Sequence, residues 1–171
     1  MANTYTLISS NVLGSNAASV TFSSIPNTYT DLVVRTSIRS NSGAAIENVN
    51  YRFNSDSATN YSWTTVYGDG SSVSSNRSTN TTSSFIIGNG GTSTANTFSN
   101  AEIYIPSYTS STNKPNFFFG AQENYTSSAV IKMHSNSWRN TAVINSIILY
   151  PGLGTNFVTN SSFYLYGIKN S

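Results

Sequence analysis

Few side chains in this sequence could do chemistry: one histidine, six carboxylates and eight basic residues stand among 171, with no cysteine. A catalytic histidine needs an orienting acid and a nucleophile within hydrogen-bond reach. His134 has Lys132 and Trp138 nearby in sequence, and neither fills those roles. It reads as a structural strand residue. The carboxylates are Asp31, Glu47, Asp56, Asp69, Glu102 and Glu123. Glycoside hydrolysis places two of them across one bond, at ~5 Å for retention or ~6.5–9.5 Å for inversion. Glu102 and Glu123 fall on separate candidate strands and are the pair to test; the competing reading makes them outward, solvated positions. Hard cations want several oxygen ligands, usually with more than one carboxylate in a loop. Asp69 is alone in Tyr67-Gly68-Asp69-Gly70, where turn formation accounts for it. Asp56, in Asn54-Ser55-Asp56-Ser57, likewise reads as a loop carboxylate bonded to local backbone amides. Gly88-Asn89-Gly90-Gly91 lacks the following helix and lysine of a phosphate cradle. No catalytic group, metal or cofactor is therefore expected, and the chain is not read as an enzyme.

Aromatic rings beside Asn or Asp can form sugar-binding platforms by stacking plus directed hydrogen bonds. Trp63, Tyr67 and Trp138, with Asp69, are the candidate glycan or partner contacts, and Tyr61 is a further ring of this kind. Core packing or subunit contact is the competing reading of the same residues.

The elements that must position these residues are β-strands. Ser, Asn and Thr supply 32, 23 and 21 residues, and only 8% are charged, against a usual ~25%. Disordered chains of such polarity are poor in aromatic and β-branched residues and carry high net charge; this one has 11 Tyr, 9 Phe, 2 Trp and a formal charge of +2. Ser, Thr and Asn compete for backbone hydrogen bonds inside helices and favour turns and strands. Alternation of period two recurs at 4–8, 19–22, 31–39, 49–53, 61–67, 84–88, 101–105, 117–122, 129–134, 143–150 and 163–168. It is clearest where Leu32, Val34, Thr36 and Ile38 fall on one face and Val33, Arg35, Ser37 and Arg39 on the other. Gly-, Asn- and Asp-rich turns separate the runs, and the Ser/Asn/Thr stretch 70–82 reads as a long exposed loop. No helical stripe and no fixed repeat is present. The expectation is one domain, residues 1–171, all-β with minimal helix, a sandwich or barrel, of which an antiparallel two-sheet β-sandwich is chosen partly on the resemblance described below.

Without cysteine, stability must come from packing or assembly. The sequence shows no opening export signal and no apolar run approaching the ~20 residues that span a bilayer. The basic residues form no stripe that would neutralise nucleic-acid phosphates. Five Asn-x-Ser/Thr sequons, at Asn60, Asn76, Asn80, Asn124 and Asn160, are no more than this composition yields by chance.

Several segments together resemble a group of small tailed-bacteriophage virion proteins. They are Tyr5-Thr6-Leu7-Ile8, Ala18-Ser19-Val20-Thr21-Phe22-Ser23-Ser24-Ile25-Pro26 and Tyr29-Thr30-Asp31-Leu32-Val33-Val34. Further along come Tyr51-Arg52-Phe53-Asn54, Asn60-Tyr61-Ser62, Tyr67-Gly68-Asp69-Gly70-Ser71 and Phe163-Tyr164-Leu165-Tyr166-Gly167-Ile168-Lys169. The resemblance covers most of the chain and brings no catalytic or ligand-binding residues with it. It implies a jelly-roll-like sandwich on the particle exterior, made in the host cytoplasm. The leading expectation is a capsid decoration (cement) protein whose partners are the major capsid protein and copies of itself, with neither nucleic acid nor membrane involved. The alternative is a tail-fibre or appendage module that recognises a host-surface carbohydrate.

Overall fold

Alternating apolar residues make a strand that is buried on one face, and two such faces must close on each other. The computed structural model describes residues 5–123, 125 and 129–169; Thr4 of the first expected strand and the sequon at Asn124 lie outside them. Among the described residues twelve strands follow in chain order: β1 (Tyr5–Val12), β2 (Val20–Phe22), β3 (Asp31–Ile38), β4 (Ile46–Phe53), β5 (Tyr61–Gly68), β6 (Val73–Thr81), β7 (Ser84–Asn89), β8 (Ser99–Ile105), β9 (Lys114–Gln122), β10 (Val130–Trp138), β11 (Ile147–Pro151) and β12 (Ser162–Ile168). No helix occurs among the described residues, so none is long and apolar enough to cross a membrane.

The strands form two antiparallel sheets of unequal size, ordered β2-β11-β4-β7 and β1-β12-β3-β8-β9-β10-β5-β6. Strands β2 to β5 alternate between the sheets, β5 and β6 make a hairpin, and β7 returns to the small sheet. That is jelly-roll connectivity, with the meander β8-β9-β10 in place of one strand and β12 and β1 added along one edge.

Between the sheets, Leu32, Val34, Ile38, Ile103, Phe118, Trp138, Phe163 and Leu165 of the large sheet share a buried cluster with Val20, Phe22, Val49, Tyr51, Phe53, Ile86, Ile147 and Leu149 of the small one. Each fully buried side chain of this size contributes roughly 1.5–3 kcal/mol. Phe53 packs its ring 5.6 Å from that of Trp138 and 5.5 Å from Tyr51. Four strands do not cover eight, and residues from the connections, Leu13, Ile25, Tyr108, Ile144 and Phe157, complete the core. Tyr29 lies so close over β12 that a Cβ at Gly167 would fall 2.3 Å from its ring, which explains glycine there.

Two sequence expectations are corrected. The stretch 70–82 is mostly strand: β6 pairs with β5 from Gly68↔Val73 to Tyr61↔Thr81, and only Asp69 to Ser72 turn. Strand β6 is a sheet edge that buries neither face against the small sheet, so it carries no alternation to detect. The run at 143–150 enters the sheet only at Ile147, with Ile144 packed into the core from the preceding connection.

The connections are held by single polar side chains that collect backbone groups. Glu47 is fully buried on β4 and accepts hydrogen bonds from the Ser40 hydroxyl (2.7 Å) and from the amides of Gly152, Leu153 and Gly154 (3.2, 2.8 and 2.8 Å). Arg39 donates to the carbonyls of Gly91, Ser93, Thr94 and Thr97. Buried Lys114 donates to the carbonyls of Ser110, Thr112 and Asn140, and desolvation lowers its pKa. Asn41 Oδ1 takes the amides of Thr155 and Asn156, and Asn54 Oδ1 those of Asn145 and Ser146.

Removing the Glu47 acceptor leaves the Ser40 hydroxyl and the amides of Leu153 and Gly154 without their acceptor, while the Gly152 amide keeps the Asn48 carbonyl at 2.9 Å; each of the three omissions costs about 1 kcal/mol. Glu47→Ala is expected to lose ~3 kcal/mol of stability, read as a lower urea midpoint at unchanged slope; an unchanged midpoint would remove this carboxylate from the scaffold.

Candidate functional site

Residues paired across neighbouring antiparallel strands share a face, so the register gives the composition of the large sheet's outer side. One row runs Tyr164, Arg35, Glu102, Phe119, Met133, Val66, Ser75 from β12 across to β6. The next runs Tyr166, Val33, Tyr104, Phe117, Ser135, Thr64, Arg77, and Ile131 lies opposite Gly68 and Ala121 on the far side of the first. The outer face of a solvated sandwich ordinarily carries polar residues. Here Phe117, Phe119, Ile131, Met133 and Val66 are 43–51% exposed, and rim residue Val73 on β6 is 79% exposed. Exposed apolar groups that are contiguous, unlike scattered ones, mark an interaction surface.

Charge on this face is balanced. Arg35 Nε donates to Glu102 at 2.7 Å while its guanidinium lies 5.4 and 5.8 Å from the ring centres of Tyr5 and Tyr166. Asp31, nearly buried, accepts from the Tyr104 hydroxyl and the Ser107 amide, both at 2.8 Å, and the first of these bonds raises the Tyr104 pKa. Val33, flanked in register by Tyr166 and Tyr104, is fully covered although it points away from the core. The middle of the face is therefore an aromatic and aliphatic field beside the neutralised Arg35–Glu102 pair, with Asp31 and Arg77 toward its margins.

The four residues singled out for glycan contact are not brought together. Trp138 is fully buried and donates its indole N–H to Asp56 at 2.8 Å. Asp69 is exposed in the β5–β6 turn at the other end of the sheet, where it accepts from the amides of Ser71 and Ser72. Trp138 and Ile131, which faces Gly68, are seven residues apart on β10, which is ~24 Å of strand. Trp63 and Tyr67 lie on the inner side of β5, half-buried: Trp63 packs edge-on to Phe85 at 5.1 Å, and Lys132 sits 5.3 Å from the Tyr67 ring centre. Asp56 takes the Ala58 amide, the Asn60 side-chain amide and the Trp138 indole, bonds that hold its pKa below the usual carboxylate value against the opposing effect of burial. Glu102 stands opposite Phe119 on β9, four residues short of Glu123, a stagger of ~14 Å that exceeds the spacing of a glycosidase pair. No group of three or more His, Cys, Asp or Glu able to hold a metal occurs among the described residues.

His134 is buried on the inner side of β10, its ring centre 4.4 Å from Phe85, 5.1 Å from Phe118 and 5.8 Å from Trp63. Neither ring nitrogen has a hydrogen-bond partner among the described residues. Burial, with the Lys132 charge adding to it, pushes its pKa down to about 3. Sequence reasoning marked the residue as structural but missed the burial of Glu47 and Lys114. The signal was there: Glu47 is in phase with Val49, Tyr51 and Phe53, and Lys114 with Asn116 and Phe118, all inward positions.

In the unfolded chain His134 takes up a proton near its ordinary pKa of 6.5, whereas the folded protein resists it until about pH 3. Its contribution to stability is complete above pH 6.5 and falls as pH drops through that window, by up to ~1.4 kcal/mol per pH unit. Thermal unfolding at pH 7, 5.5 and 4.5 should show the midpoint falling with acid in the wild type and falling less in His134→Leu; parallel curves would contradict a neutral buried imidazole.

The geometry stands without support from relatives: no protein-family model matches the chain, and no curated protein matches its sequence.

Proposed function

We propose that this chain is a structural protein of a tailed-bacteriophage particle, a capsid decoration protein that binds the outside of the shell and reinforces it through docking rather than chemistry. The observation that carries the reading is the outer face of the large sheet, a broad apolar surface with balanced charge on a domain whose inner face is already closed by the small sheet and the connections, as suits a chain that assembles with copies of itself as well as with a shell. Solvent alone gives no reason to place Phe117, Phe119, Ile131 and Met133 outward on adjacent strands, whereas an assembly gives each of them a buried position worth roughly 25 cal/mol per Å² covered. The resemblance of the terminal and central segments to phage virion proteins supports the same reading. Assembly also suits a chain with no disulfide, since many weak copies of one contact add along a lattice. Its partners are then the major capsid protein and further copies of the chain, and its place is the particle exterior.

Quantitative mass spectrometry of purified particles that carry this protein tests the placement. Hundreds of copies per particle are expected, together with loss of packaged DNA at lower temperature from particles assembled without it. A few to a few dozen copies, confined to the tail, would replace decoration with an appendage role.

A further inference from the structure

We infer that the outer face of the eight-stranded sheet is occupied by a second copy of this chain, the two large sheets packing face to face about a two-fold axis. Area is the first argument. Eight strands at ~4.8 Å spacing and seven residues at ~3.4 Å rise make a face of on the order of 900 Å², close to the ~800 Å² per partner of a stable interface. Charge is the second. The outward positions of the paired strands carry Asp31, Arg35, Glu102 and Arg77, two of each sign. Arg35 and Glu102 already neutralise each other, and Arg77 lies on the rim strand. Two identical copies thus meet without the like-charge opposition that keeps most self-contacts apart.

Relief is the third argument. Phe117 and Phe119 stand up from β9, with the small residue Ala121 beside them on the same strand and Gly68 two strands away on the same face. A depression lies on each side of this ridge, one bordered by Arg35, Asn100 and Ala101, the other by Val66, Val73, Ile131 and Met133. A two-fold operation sets the ridge of one copy into the depression of the other, which is how the faces of stacked sheets interdigitate at ~10 Å separation. Contact between copies does not require that the chain ride on a phage shell, so its failure and that of the decoration reading are separable.

Light scattering on the purified full chain, coupled to size exclusion, is the test. At ~50 µM, above the dissociation constant of an interface of this size, the expected mass is twice the 18.4 kDa of one chain. Phe119→Lys should weaken association by ~30-fold or more, as loss of a central aromatic anchor does, and leave the circular dichroism spectrum and melting profile those of a folded β protein. Val66→Lys, on another strand of the same face, should do the same and covers the case in which the first variant fails to fold. A wild-type chain that stays monomeric overturns the inference, as does an oligomer whose mass neither substitution changes. If the monomer binds purified shells and Phe119→Lys abolishes that binding, the face belongs to the shell contact instead.

Discussion

A sheet of eight strands is closed by a sheet of four, and the rest of the structure answers to that mismatch. Apolar residues on the inner side of the large sheet must be kept from water, yet the small sheet reaches only part of them. The remaining cover comes from the connections, which bring Leu13, Ile25, Tyr108, Ile144 and Phe157 into the core. A connection pressed against a core carries backbone amides and carbonyls away from water, and each must find a partner. Folding this chain is therefore a problem of satisfying loops as much as of packing strands.

That problem explains where the few charged residues go. Glu47 gathers three amides of the segment after β11, Arg39 four carbonyls of the segment before β8, and Lys114 three carbonyls around β9. Asn41, Asn54 and Asp56 do the same on a smaller scale. A side chain that meets several backbone groups is better placed than an isolated buried charge, because hydrogen bonds to an ionised group are roughly twice as strong as neutral ones. With several of the ionic residues drawn into this work, the large sheet's exterior carries aromatic and aliphatic side chains around the paired Arg35 and Glu102.

Much of the fold was legible because burial on one face writes itself as alternation. Leu32, Val34 and Ile38, or Phe163 and Leu165, announce both strand and orientation. Strand β6 was not legible, since a ribbon wet on both sides imposes no pattern on its sequence. The roles of Asp56 and Asp69 as loop acceptors could be read from their Gly- and Ser-rich surroundings. The outer face could not: Phe117 and Phe119 were visible as residues of a strand, but Val66, Ile131 and Met133 become their neighbours only once β9, β10 and β5 are placed side by side. The composition of the large sheet's exterior is a fact of strand order.

The same strand order governs how the polypeptide reaches its final form. Strand β11 sits between β2 and β4, and β12 between β1 and β3, so both early strands wait for partners that lie more than a hundred residues downstream. Tyr5 pairs with Ile168. Such distant pairings carry a large loop-closure cost and slow the search. On the ribosome, neither sheet can be completed until its last strand has emerged, and the nascent chain holds its apolar inner rows open until then.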